Sequence, residues 1–191
     1  MIEFVGFSKI PRYSRECIIT EKIDGTNGCI YIADNFDAIT PDSGRIVPFL
    51  CGSRSRWISP EDDNHGFAKW AYGNVLELMR LGPGFHFGEW WGQGIQRGYG
   101  LKEKRFSLFN LKRWGDPFVR PTCCYVVPEI IRGEFCTTTV HQGLETLRAL
   151  GSHAAPGFMK PEGIVIYHTA GNLMFKKTLE KDELPKGVKE E

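Results

Sequence analysis

From Glu16 to Asp34 the chain runs apolar against polar in ECIITEK and again in NGCIYIAD, and between them lies the turn-prone run Ile23-Asp24-Gly25-Thr26. β-branched and aromatic residues flanking glycine and asparagine predict a strand, a tight turn and a second strand, with Lys22 at the end of the first. A polar loop is expected next, DNFDAITPDSGRIVPFL at 34–50, followed by the turn-rich, initially basic CGSRSRWISPEDDNHG. Phe67, Trp70, Ala71, Val75, Leu78 and Met79 recur near helical spacing, which predicts one amphipathic helix from about His65 to Leu81, stopped by Gly-Pro-Gly. Three aromatic or β-branched runs then read as strands: FHFGEWWG, KRFSLFNLKRW and CCYVVPEII. Thr139 is placed to cap a helix reaching Leu150, with Leu144, Leu147 and Leu150 on one face. EGIVIYH and NLMFKKT, joined by the turn TAGN, form the last strand pair, and the charged tail LEKDELPKGVKEE is expected to add little to the core beyond its first turn. These elements predict a mostly antiparallel α+β protein, with one domain over 1–180 and a charged tail at 181–191.

Composition narrows this picture. With 191 residues, 41% of them apolar and 13% aromatic, the chain can bury one substantial core. The 24 basic and 23 acidic residues leave a net charge of +1, so a surface for nucleic acid must be local rather than a property of the whole field. Six cysteines show no C-x-x-C pair, which argues against a zinc knuckle or a disulfide framework and for reduced thiols. The early acid and proline of MIEFVGFSKIPRY do not fit a secretory signal, and no run is long enough to span a bilayer. The expectation is a soluble, cytoplasmic protein with no membrane partner.

The candidate chemistry starts at Lys22. An amine at a strand end, followed by Asp-Gly and a polar turn, is held still enough to act as a nucleophile, although a surface lysine beside a turn gives the same tetrapeptide. Each further candidate also has a plainer reading. Phe109 alternates with Leu108 and Leu111 as a core residue would; Glu89 and Glu162 sit beside glycines where exposed acids are common; Arg54 and Arg56 can simply solvate a loop; Lys176 lies in a charged segment.

Taken together, in order and spacing, six segments resemble the covalent nucleotidyltransferase superfamily of polynucleotide ligases and capping enzymes. EKIDGTN at 21–27 is similar to motif I, whose lysine bonds to AMP or GMP, and its Thr26-Asn27 extension resembles the RNA ligases of the phage RNA-ligase-2-like kind. GSRSR at 52–56 resembles motif Ia, FHFGEWWG at 85–92 motif III, RFSLFNLKRW at 105–114 motif IIIa, PEGIVIYH at 161–168 motif IV and LMFKKT at 173–178 motif V.

The resemblance implies an α+β nucleotidyltransferase core, ATP-grasp-like, of two packed and mostly antiparallel sheets with flanking helices, the pocket between them and Lys22 at its floor. It implies that Lys22, Glu162 and Lys176 are catalytic, with Glu162 supporting a metal. Glu21, Arg54, Glu89, Phe109, Lys176 and Lys177 would contact the nucleotide: Glu89 the ribose, Phe109 the base, a motif V lysine the α-phosphate. Asn27, Arg54 and Arg56 would hold the strand end. The cofactors implied are ATP and Mg²⁺ or Mn²⁺, and the partner is nucleic acid, RNA before DNA, in a setting such as RNA repair. Motif V departs from the family's lysine, one residue, lysine, because Lys176 and Lys177 are adjacent and on a strand must point to opposite faces. Lys176 is favoured because Thr178 shares its face. The resemblance covers about 16–178 and leaves no separate C-terminal clamp domain, so a helper protein for strand clamping is a natural expectation; oligomeric state is open. Rival readings are a capping-type guanylyltransferase, an ATP-dependent DNA ligase, and a non-catalytic nucleic-acid-binding module.

Overall fold

The computed structural model describes residues 2–34, 49–180 and 182. The chain divides into two compact units, Met1–Lys22 with Glu129–His153 and Met159–Glu191, and Ile23–Pro128 with Ala154–Phe158.

The first unit is built on a four-stranded antiparallel sheet. Its strands are β1 (Glu16–Lys22), β8 (Glu129–Glu134), β9 (Gly163–His168) and β10 (Leu173–Thr178), in the order β10-β9-β1-β8. The two-residue period of β1 sends Cys17 and Ile19 to one face, where Ile164 and Ile166 of β9 join them. Helix α4 (Thr137–Leu150) covers that face with Val140, Leu144 and Leu147, an i, i+4, i+7 stripe. Its start differs from the sequence reading. Cys136 is the N-cap residue, and Thr139 lies buried inside the first turn with its hydroxyl on the Cys136 thiol. Leu150, expected on the apolar face, is exposed in the last turn.

The second unit carries a six-stranded sheet in the order β4-β3-β2-β5-β6-β7, formed by β2 (Thr26–Ile32), β3 (Phe49–Gly52), β4 (Trp57–Ile58), β5 (Gly84–Gly92), β6 (Lys104–Leu108) and β7 (Tyr125–Val126). All its neighbours are antiparallel except β6 and β7. The adjacent Trp90 and Trp91 of β5 point to opposite faces and are both buried, so this part of the sheet is covered on both sides. On one face Trp90 and Phe106 meet Phe67, Ala71, Leu78 and Leu81. There Gly28 and Gly88 are register partners, and a Cβ on Gly28 would come within 2.7 Å of the Phe67 ring, so the aromatic core rests directly on bare backbone. On the other face Trp91 packs with Ile23, Tyr99, Val127 and Ala155 and donates its indole N–H to Ser107 Oγ at 2.9 Å.

Several predicted elements come out differently. The two strands around Asp24-Gly25 are not a hairpin: β1 belongs to the four-stranded sheet and β2 to the six-stranded one. The single helix expected over 65–81 is broken into α1 (Phe67–Gly73), α2 (Val75–Leu78) and a 3₁₀ turn (Met79–Leu81). The break falls at Asn74, whose backbone leaves the helical region at φ −115° and ψ 18°, and whose side-chain amide and own N–H both donate to the Trp70 carbonyl, at 2.8 and 3.1 Å. The strand expected over 104–114 stops at Leu108; Asn110 then caps the short helix α3 (Leu111–Trp114), its Oδ1 accepting the Arg113 N–H at 3.1 Å. CCYVVPEII contributes to two sheets, as β7 and β8, with Pro128 between them. Most of the polar loop expected at 34–50 lies outside the described residues, as does most of the charged tail; Phe49 and Leu50 open β3.

Candidate active site

In the first unit, β1 ends at Lys22 and β9 begins at Gly163, its register partner. The residue before that glycine, Glu162, is buried, and its Oε2 lies 2.5 Å from Lys22 Nζ. The two side chains are 18% and 8% exposed, so the pair has a charge partner and little water. Register identifies what shares the Lys22 face. Lys22, Gly163 and Thr178 lie in one cross-strand row and Thr20, Val165 and Lys176 in another two residues along, so Lys176 and Thr178 are on the side of Lys22. Lys177 falls in the intervening row with Ile164 and Glu21, on the opposite face, and its ammonium is 3.1 Å from Asp182 Oδ2.

Glu21 departs from its expected place at the nucleotide. It is 1% exposed on the face opposite Lys22, where Oε1 accepts from Ser152 Oγ at 2.6 Å and Oε2 from the His153 N–H at 2.8 Å. A buried carboxylate must be satisfied by donors, and these two tie the end of β1 to the segment after α4. The period of the strand, which puts 21 and 22 on opposite faces, is the signal that separates these two neighbours.

In the second unit a hydrogen-bonded relay gathers three of the expected residues. Asn27 and Glu89 are register partners on β2 and β5. Glu89 Oε2 accepts from Asn27 Nδ2 at 3.1 Å, and Oε1 accepts the Gly25 N–H at 3.1 Å. Asn27 Oδ1 in turn accepts from Arg54 Nε at 3.0 Å. Gly25 is required on steric grounds, since a Cβ there would stand 2.5 Å from the Trp90 carbonyl oxygen. Arg56 does not join this relay; its guanidinium forks onto Asp62. Phe109 lies one residue beyond β6, its N–H on the Phe87 carbonyl at 3.0 Å, and the residue is 40% exposed, so it does not belong to the core.

Sequence reasoning missed the support of the Asp24-Gly25 turn. Asp24 Oδ2 accepts from Arg97 Nε at 3.0 Å, and the Asp24 N–H is donated to the Tyr99 hydroxyl at 2.8 Å. Both partners come from GQGIQRGYG at 92–100, where Gln96 and Tyr99 adopt positive φ of 45° and 52° alongside four glycines with positive φ. Backbone held in this way clusters at working sites, and the glycine density of that segment was the available signal.

Among the described residues, no three His, Cys, Asp or Glu side chains converge to hold an ion. A hard divalent cation that keeps several waters and takes substrate phosphate oxygens needs only one or two protein carboxylates, and Glu162, already facing a cation, fits that description. Among the described residues no helix is long and apolar enough to cross a membrane.

The Naegleria gruberi RNA ligase has a similar fold: an arginine variant with ATP and Mn aligns at a TM-score of 0.58 and 18% identity, over 88% of this chain and 51% of that one. A lysine variant of the same enzyme with AMP and Mn aligns at 0.56 and 19% identity, over 87% and 50%. This chain therefore spans about half the length of the solved ligases it matches. No curated protein matches it. The family model for RNA ligase matches residues 15–179, from just before β1 to just after β10. The chain belongs to the RNA ligase family.

Proposed function

We propose that this chain is the nucleotidyltransferase part of an ATP-dependent RNA ligase that works through a lysyl-AMP intermediate on Lys22. The observation that carries the reading is the Lys22–Glu162 pair, with Lys176 on the same sheet face as the nucleophile. The family match and the solved relatives with ATP or AMP and Mn support it.

Lys22 must shed a proton before its nitrogen can attack, and Glu162 Oε2 is the acceptor in contact with it. The Nζ–phosphorus bond then forms at the α-phosphate of ATP as the bond to pyrophosphate breaks. Lys176 stabilises the charge on the α-phosphate, where most of the barrier lies in a phosphoryl transfer. Glu89 holds the ribose, Phe109 stacks on the base, and Asn27 with Arg54 positions the phosphates and strand end. A divalent cation, held by Glu162, would add charge neutralisation on the phosphates. In the second step an oxygen of a 5′-phosphate displaces Lys22, which recovers its proton as the phosphorus–nitrogen bond breaks. In the third a 3′-hydroxyl displaces AMP and the strand is closed. RNA is favoured over DNA by the Thr26-Asn27 extension of motif I. Strand clamping falls to a helper protein or to a further domain.

Incubation with labelled ATP or labelled GTP tests the proposal. An acid-labile label from ATP alone is expected; a label from GTP alone would make the protein a capping-type guanylyltransferase, and none from either would make it a binding module.

A further inference from the structure

The six-stranded sheet carries a row of aromatic side chains that neither core uses. Tyr31 of β2 and Phe85 of β5 are register partners, and Trp57 of β4 lies beside Gly52, whose own partner row continues through Cys29 to Phe87. By the strand period, Tyr31, Trp57, Phe85 and Phe87 share one face, the face of Asn27 and Glu89. Their rings touch in series: Tyr31 to Phe85 at 4.6 Å between centroids, Trp57 to Phe85 at 6.3 Å and 22°, Phe85 to Phe87 at 6.0 Å and 7°. Phe85 and Phe87 are each 56% exposed. Phe109, bonded through its N–H to the Phe87 carbonyl, extends the row.

Solvent-facing strand positions in an antiparallel sheet are ordinarily polar, and here the row has no lysine, arginine, aspartate or glutamate before Glu89. The opposite face carries the aromatic core with Trp90, whereas on this face Cys29 and Leu50 are buried and Phe85 and Phe87 stay open to solvent. The run is aromatic rather than rich in Leu, Ile or Met, and the Trp57 and Phe87 rings each lie near parallel to Phe85, with Tyr31 tilted 42° to it. π-faces displayed on a sheet are what unpaired bases stack upon, without regard to sequence.

We propose that Trp57, Tyr31, Phe85 and Phe87 form a stacking platform for unpaired bases of single-stranded RNA close to the end being joined. The inference rests on the ligase reading, because its argument for RNA is continuity of this face with Asn27, Glu89 and Phe109. Arg54, on the turn between β3 and β4 and bonded to Asn27, supplies positive charge at the phosphate-facing end of the row.

The test is fluorescence anisotropy of a labelled, unstructured oligoribonucleotide at fixed salt with the parent and with the Phe85→Ala/Phe87→Ala double variant. A rise in Kd of about ten-fold or more is expected for the double variant, with Phe87→Trp binding as well as the parent. Lys22 adenylylation by ATP should be unchanged in both variants, which certifies that they fold. Equal RNA affinity in parent and double variant would overturn the platform, as would a parent that binds no RNA. Light scattering on the same samples supplies a third outcome: a dimer that becomes monomeric in the double variant with RNA affinity unchanged would assign the face to a second copy of the chain and overturn the proposal. If ring-dependent RNA binding is found but no lysyl-AMP forms in the parent, the ligase reading fails while the platform stands.

Discussion

The four-stranded and six-stranded sheets hold their polar side chains in contrasting ways. At the end of β1 a single direct ion pair, Lys22 to Glu162, is confined with little water. On β2 and β5 a relay of bonds near 3 Å runs from the Gly25 N–H through Glu89 and Asn27 to the exposed Arg54. A group that must change its protonation during a reaction gains from a partner that fixes it and takes the proton. Groups that recognise a ligand gain from neighbours that fix their direction while leaving donors open to it.

Exchanging glutamates within the first unit gives the sharpest break of this contrast. Glu162→Gln should slow lysyl-AMP formation by about 10²–10³-fold in single-turnover assays, the scale of losing one well-placed electrostatic contact. Glu21→Ala should instead cost stability, about 2–4 kcal/mol for two donors left without an acceptor, read as a lower denaturation midpoint. Next in size is the lysine pair: Lys176→Ala should reduce adenylylation by about 10²-fold, and Lys177→Ala, on the opposite face, by less than about three-fold. In the second unit, Glu89→Ala releases Gly25, Asn27 and Arg54 together. It should raise KM for ATP by about 10–100-fold with a smaller effect on kcat, the pattern of lost recognition rather than lost chemistry.

The smallest effect concerns pH. Burial lowers the pKa of His86 below its ordinary 6.5, and its Nε2 is 2.8 Å from the Gly82 carbonyl. Below pH 6.5 the unfolded chain binds a proton that folded His86 resists, so stability falls with acidification at up to about 1.4 kcal/mol per pH unit and is unaffected well above that value. Urea midpoints measured on either side of pH 6.5 should show this loss in the parent and a smaller one in His86→Gln.

Much of this was legible because strand alternation survives into the structure. β5, β9 and β10 fall where aromatic and β-branched runs put them, and the opposite faces of Lys176 and Lys177 follow from adjacency alone. What sequence could not reveal is tertiary. A turn between two strands reads as a hairpin whether or not they pair, so the separation of β1 from β2 was hidden. Leu108, Phe109, Leu111 and Trp114 keep an apolar rhythm across a strand end and a helix start, and only the cap at Asn110 distinguishes them. Glu21 beside Lys22 looked like part of one charged motif, yet its carboxylate serves Ser152 and His153, 131 and 132 residues away in sequence.

Peptide mapping of the protein after exposure to ATP and a divalent cation tests the central claim most directly. One AMP on the peptide containing Lys22, absent from Lys22→Ala, is expected. An adenylate on any other side chain, or an alanine variant that charges as well as the parent, would contradict it.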